Sequence, residues 1–110
     1  MRDVHSLVIL LALAGFTATA IHTARAEGDA KRGEQIAAKW CAACHLIAPG
    51  AKRPSASQPA SFQEIADTPG FGAFALNVFF RTPHKEMPNF TITGDLRDDL
   101  VAYITSLKSK

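Results

Sequence analysis

The first amphipathic pattern in the chain follows Asp29, a residue suited to cap a helix. Gly33, Ile36, Ala37 and Trp40 recur at spacings of three, four and seven residues, which places them on one face of a helix. Glycine inside a helix costs about 1 kcal/mol relative to alanine. We therefore expect Gly33 to lie where another helix approaches closely.

A second pattern near the C-terminal end predicts the partner helix. Thr93 can cap its start, and Asp95 suits the positive end of the helix dipole. The expected inward positions recur at helical spacing and are Leu96, Leu100, Tyr103, Ile104 and Leu107. These two helices can bury their apolar faces against each other.

Two shorter helices are predicted between them. Ser61 and Glu64 have the spacing of a capping box, and Thr68-Pro69 can open the next helix. The expected inward residues of that helix are Phe71, Phe74, Ala75, Val78 and Phe79. Almost nothing in the chain alternates as a strand would, so the pattern predicts an all-α fold.

A loop is predicted at residues 46–60, because Pro49-Gly50, Pro54 and Pro59 prevent a regular helix or strand there. A loop of this length is unusual in a small compact domain unless something such as a flat cofactor gives it a surface to wrap.

The first 26 residues have the features of a secretory signal. Arg2 gives a basic start, Leu7 to Phe16 form an apolar run, and Ala24-Arg25-Ala26 has the form of a cleavage site. We expect cleavage after Ala26, a folded domain at residues 27–110 and a periplasmic location. An uncleaved membrane anchor is the alternative, but the apolar run falls well short of about 20 residues.

The composition fits one small domain, with 110 residues of which 47% are apolar and 20% charged. Residues 27–110 carry ten Lys or Arg against nine Asp or Glu, without the basic stripe that binds nucleic acid. A chain this short buries a modest core, and such chains often depend on a disulfide, a metal or a cofactor.

The segment Cys41-Ala42-Ala43-Cys44-His45 contains both cysteines of the chain. In the C-x-x-C-H motif of c-type haem, the thiols form thioether bonds to the haem vinyl groups and the histidine ligates the iron. Two intervening residues on a helical turn bring the thiols to one side. The motif predicts one covalent haem c on Cys41 and Cys44, with His45 as the proximal iron ligand.

Three other uses of these residues fit the chain less well. A redox C-x-x-C of the thioredoxin kind belongs with alternating strands and helices. A structural zinc ion would need four ligands, with adjacent Cys44 and His45 both bound to it. A disulfide between Cys41 and Cys44 closes a very small loop and would add little stability.

Met87 is the candidate for the distal iron ligand. It is the only methionine in residues 27–110 and lies in a loop with Pro83 and Pro88 on either side. Its thioether sulfur is a soft, neutral ligand that suits haem iron, and the prolines stiffen the loop. His84 is the alternative ligand, and an open or weakly filled site is the third possibility.

From Gly28 to Lys110 the chain resembles a class I cytochrome c. The features that carry the resemblance are Gly33 in the first helix, the motif at residues 41–45, Met87-Pro88 in a loop and Tyr103 in the closing helix. The resemblance implies an all-α fold whose first and last helices cross near a right angle, with Gly33 and Tyr103 meeting at or near the crossing. It also implies covalent haem c ligated by His45 and Met87, and single-electron transfer outside the cytoplasmic membrane.

A further expectation concerns the ring of His45. Members of this family commonly have a loop proline whose backbone carbonyl accepts a hydrogen bond from the ligating histidine. Pro59 is the nearest match, and Pro49 and Pro54 are the other candidates. Such an acceptor fixes the ring and raises its donor strength.

The function that follows is electron transfer and not enzymatic catalysis. We expect a monomer, without an integral membrane anchor or a nucleic-acid partner, that docks transiently with donor and acceptor proteins. Two alternatives stay open, namely a haem subunit of a periplasmic dehydrogenase and a haem sensor or catalyst with an open sixth site.

Overall fold

A computed structural model describes residues 27–87 and 92–110, and the expected signal segment lies outside them. The described residues form four helices and no strand: α1 (Ala30–Trp40), α2 (Phe62–Asp67), α3 (Ala73–Phe79) and α4 (Gly94–Ser106). The all-α prediction is confirmed. Within the described ranges, no helix has both the length and the apolar character needed to cross a membrane.

Helix α1 packs against α4 at Gly33. A Cβ atom at this position would meet the backbone carbonyl of Asp99 and would lie 2.7 Å from the Cβ atom of Tyr103. Only a residue without a side chain permits this approach. The expected close approach at Gly33, and its meeting with Tyr103, are confirmed.

A polar cluster joins the same two helices around Asp99, which is only 3% exposed. Its carboxylate accepts hydrogen bonds from Arg32 Nε at 2.8 Å, from Arg32 Nη2 at 3.0 Å and from the backbone N–H of Asp29 at 2.6 Å. These donors, the Arg32 guanidinium above all, hold the pKa of Asp99 below its ordinary value. A buried carboxylate with three charge-assisted or backbone donors is well satisfied.

The caps of the first two helices are as predicted. The Asp29 side chain accepts a hydrogen bond from the backbone N–H of Arg32, and Ser61 and Glu64 form the reciprocal bonds of a capping box. The capping residues Asp29 and Ser61 therefore mark where α1 and α2 begin.

Helix α4 differs from its prediction at its first turn. Leu100, Tyr103 and Ile104 are buried as expected, but Leu96 is 44% exposed. The chain before α1 meets α4 at Asp98 and Asp99, so Leu96 lies one turn beyond that contact. The prediction of an inward Leu96 was wrong. Thr93 occupies the N-cap position, although its side chain makes no capping hydrogen bond.

Helix α3 begins later than predicted. Thr68-Pro69 does not open it, because the backbone N–H of Thr68 closes the end of α2 onto Ile65. Gly70 then turns the chain with a φ of 79°, and the helix starts after Gly72.

The face that α3 buries was predicted wrongly in part. Leu76 is buried, whereas Phe74 and Val78, both expected to point inward, are 83% and 49% exposed. The other residues expected to point inward are partly buried, namely Phe71, Ala75 and Phe79. The helix is apolar on nearly all sides, so hydrophobic spacing cannot select the face that meets α4.

Candidate functional site

The structure contains a cavity of about 910 Å³, a size typical of ligand sites. Three segments line it, namely the end of α1 with the turn that follows, residues 53 and 56–60 of the long loop, and the end of α3 with the loop after it. The four site residues predicted from the sequence all reach its wall, and they are Cys41, Cys44, His45 and Met87.

A turn directly after α1 positions the two thiols. Cys41 caps the helix through its backbone N–H, and its carbonyl accepts from the N–H groups of Cys44 at 3.1 Å and His45 at 2.9 Å. This turn brings both cysteines to the cavity wall. Both thiols are free, Cys41 being buried and Cys44 exposed. Burial raises the pKa of the Cys41 thiol, which keeps it neutral.

The ring of His45 is fixed by a backbone acceptor. Its Nδ1 atom lies 2.7 Å from the carbonyl oxygen of Ala60 and donates to it, which leaves Nε2 as the nitrogen with a lone pair. The ring also packs against Phe62, with 5.6 Å between the ring centroids. One imidazole nitrogen is thus available to a metal in a fixed orientation.

The acceptor is none of the three prolines considered from the sequence. The Phe62 N–H donates to the Leu46 carbonyl at 2.9 Å, and this bond sets the ends of the loop side by side. Ala60 is consequently the residue that lies beside His45, one position after Pro59. A backbone carbonyl has no sequence signature of its own, and only the neighbouring proline marks its approximate place.

The long loop is held to the helices beneath it. The Tyr103 hydroxyl donates to the Ile47 carbonyl at 2.8 Å, and the Gly50 N–H donates to Gln63 Oε1 at 2.8 Å. Arg53 lies 3.3 Å from a carboxylate oxygen of Glu64. Burial raises the pKa of Tyr103, so its hydroxyl remains a donor. The expected loop is confirmed, and these bonds shape one wall of the cavity.

The loop after α3 supplies the remaining predicted residues. Met87 is partly buried at the cavity wall, and Pro88 lies outside the described residues. His84 reaches the same wall, but its Nε2 atom is 2.9 Å from the Phe79 carbonyl. Its ring also stacks on that of Phe79, with centroids 3.6 Å apart and planes 16° apart. His84 is therefore engaged with α3 in this structure.

The donor set fits a covalently attached haem. The cavity wall presents two thiols, an imidazole with one nitrogen already bonded to a carbonyl, and a thioether, and it also includes the apolar side chains of Trp40, Ala43, Ala56, Pro59 and Phe79. Soft and neutral donors in apolar surroundings suit haem iron.

Comparison with known proteins decides the family. Residues 28–104 match the family described as cytochrome c oxidase, cbb3-type, subunit III. The chain is also 35% identical over 102 residues to cytochrome c-552 of Bradyrhizobium diazoefficiens, an alignment that covers 93% of this chain and 92% of that protein. The chain is a class I c-type cytochrome.

As a c-type cytochrome, the protein carries covalently bound haem c with its iron and transfers electrons. Electron transfer requires redox partners that supply and remove the electron. No solved structure matches the chain.

Proposed function

We propose that this cytochrome is a periplasmic single-electron carrier whose haem is attached through Cys41 and Cys44 and ligated by His45 and Met87. The observation that carries the proposal is the cavity whose wall contains all four side chains. The bond from His45 Nδ1 to the Ala60 carbonyl supports the proximal role, because it leaves Nε2 to bind iron.

When bound, haem iron supplies a reversible one-electron oxidation and reduction. The chain contributes rigidity around it. His45 is held by Ala60 and by the ring of Phe62, and Tyr103 secures the Ile47 carbonyl two residues along the loop. Side chains that are fixed before electron transfer need little rearrangement during it.

The choice of Met87 over His84 rests on the contacts that His84 already makes. The His84 ring is stacked on Phe79 and bonded to its carbonyl, so it would have to leave both contacts to bind iron through Nε2. A methionine ligand raises the haem potential relative to a second histidine.

The attachment residues are tested by maturing the protein with haem and measuring the pyridine haemochrome spectrum. Wild-type protein should show covalent haem, and the double variant Cys41→Ser/Cys44→Ser should not. Wild-type protein without covalent haem would overturn the proposal. Recovery of the protein from the periplasmic fraction, with Glu27 at its N-terminus by mass spectrometry, tests the export step.

The axial ligand is tested by carbon monoxide binding and by the near-infrared band of methionine-ligated ferric haem. Wild-type protein should show the band and should not bind carbon monoxide at neutral pH. Met87→Ala should lose the band and bind carbon monoxide, while His84→Phe, which keeps an aromatic ring beside Phe79, should retain wild-type behaviour. Prompt carbon monoxide binding by the wild-type protein would instead indicate a sensor or catalyst.

A further inference from the structure

An exposed apolar groove runs along α3. Phe74 is 83% exposed and Val78 49% exposed, and their spacing of four residues places them on one side of the helix. With Phe71, Ala75 and Phe79 they form a groove of about 420 Å³, called here the α3 groove. A large aromatic side chain left this exposed in an apolar groove is typical of an interaction surface.

The α3 groove adjoins the haem cavity. Phe79 and His84 line both spaces, so these two stacked rings form the boundary between them. A protein seated in the groove would lie one layer of side chains away from the cofactor cavity. The groove is therefore placed where close approach would serve electron transfer.

The charge along this segment is cationic. Between Thr68 and Lys85 the sequence contains no Asp or Glu, and Glu86 is the first carboxylate after them. Arg81 and Lys85 are both exposed just beyond α3. A partner that carries carboxylates around an apolar centre would complement this surface.

We propose that the α3 groove docks a redox partner protein whose apolar contact patch is bordered by carboxylates, with Phe74 as the central contact. The proposal rests on the electron-carrier function and names the surface and the chemistry of the partner. A second copy of this chain is disfavoured as the occupant, because symmetric pairing would bring the Arg81 side chains of both copies towards each other. A small groove suits the small interfaces of transient redox complexes.

The test compares electron transfer to a protein partner with electron transfer to a small molecule. Reduced holo-cytochrome is mixed with respiring membranes from the organism that makes it, and its second-order oxidation rate is measured at low and at physiological salt. Phe74→Ser and Val78→Ser change the groove, and Leu96→Ser is the control, since Leu96 is 44% exposed and lies outside the groove. Ferricyanide is the small-molecule oxidant.

We expect Phe74→Ser to lower the membrane rate about tenfold or more, which is the usual effect of losing a central aromatic contact. Leu96→Ser should match wild type, and the rate with ferricyanide and the haem potential should be unchanged in all variants. Arg81→Glu should lower the rate at low salt and weaken its dependence on salt, because it reverses one complementary charge.

Three results would overturn the docking proposal. The first is an unchanged membrane rate in Phe74→Ser. The second is a wild-type dimer in sedimentation that Phe74→Ser abolishes, which would assign the groove to a second copy. The third is Phe74-dependent binding to phosphatidylglycerol vesicles, which would assign it to a lipid surface. Absence of covalent haem, or no reaction with ferricyanide, would instead contradict the carrier function itself.

Discussion

At the scale of single residues, His45 shows how the backbone prepares a metal ligand. The Ala60 carbonyl orients its ring at 2.7 Å, so substitution of the Ala60 side chain leaves the acceptor in place. The position of that carbonyl depends on the bond between Phe62 and Leu46 at the ends of the loop. A function carried by main-chain atoms tolerates many side chains but depends on the path of the loop.

The first prediction at this scale concerns Gly33. Gly33→Ala should lower the free energy of unfolding of the holoprotein by about 1–3 kcal/mol, the usual cost of overpacking, because the new methyl group would meet the Asp99 carbonyl. Unfolding in urea, followed by circular dichroism, measures this loss.

Gly72→Ala is the matched control for Gly33→Ala. A Cβ atom at Gly72 meets nothing within 4 Å, and its φ of −89° suits any residue. Gly72→Ala should therefore lower the free energy of unfolding by less than about 1 kcal/mol, which is the effect of a poorer N-cap residue. Equal effects of the two substitutions would contradict the close helix contact at Gly33.

At the scale of elements, the pairing of α1 with α4 includes an ion pair with one buried partner. Asp99 is buried while the side chain of its partner Arg32 is 63% exposed. The pair therefore lies at the edge of the interface, where the carboxylate depends on Arg32 and on the Asp29 N–H for its partners. Removing the negative charge should weaken the contact between the two ends of the described chain.

The second prediction concerns pH and this carboxylate. The native pKa of Asp99 lies below the value of about 3.9 in an unfolded chain, so the unfolded state binds more protons between the two values. The stabilisation that ionised Asp99 contributes is fully present above a pH of about 4, and it is lost as the pH falls through the native pKa of Asp99. Asp99→Asn should lower the free energy of unfolding by about 1–3 kcal/mol at pH 6, and this difference from wild type should shrink towards pH 3.

Urea unfolding at a series of pH values tests this prediction, and Asp98→Asn is its control. Asp98 is adjacent in sequence, and its side chain is 48% exposed, with Arg97 no closer than 3.8 Å. Its substitution should change stability little at any pH. A difference between wild type and Asp99→Asn that stays constant from pH 6 to pH 3 would contradict the role of ionised Asp99.

Elements with a chemical signal at their ends were predictable from the sequence. Asp29 and Ser61 mark the starts of α1 and α2, and Gly33 marks the contact with α4. Helix α3 was not predictable in the same way, since it is apolar on nearly all sides and its exposed face includes Phe74. The hydrogen-bond acceptor of His45 could not be predicted either. It is the main-chain carbonyl of Ala60, whose position depends on the path of the loop and not on the residue type.

At the scale of the whole molecule, a cavity of about 910 Å³ is large for a domain with few buried residues. The cavity wall draws on the segment after α1, the long loop and the loop after α3. The cofactor should therefore add contacts that join these three parts of the chain. Its removal is expected to affect the stability of the entire domain.

The third prediction follows from this dependence. Cys41→Ser/Cys44→Ser protein, purified without haem, should unfold at a lower urea concentration than the holoprotein, because the attached haem buries its apolar surface against the cavity wall only when the chain is folded. Cys44→Ser alone, which changes an exposed thiol and keeps Cys41, should retain haem. Its unfolding midpoint in urea should lie between those of the double variant and the holoprotein. Equal unfolding midpoints for the double variant and the holoprotein would show that the scaffold is stable without its cofactor.

The contact between α1 and α4 also sets an order of events in time. Helix α1 lies early in the chain, but the residues that cover Gly33 and bond Asp29 lie about 70 positions later. Contacts so distant in sequence form slowly during folding. Until they form, α1 is not packed against α4, and the turn with Cys41, Cys44 and His45 at its end is not yet held in place. The cofactor-binding segment is therefore accessible in a chain that has not finished folding.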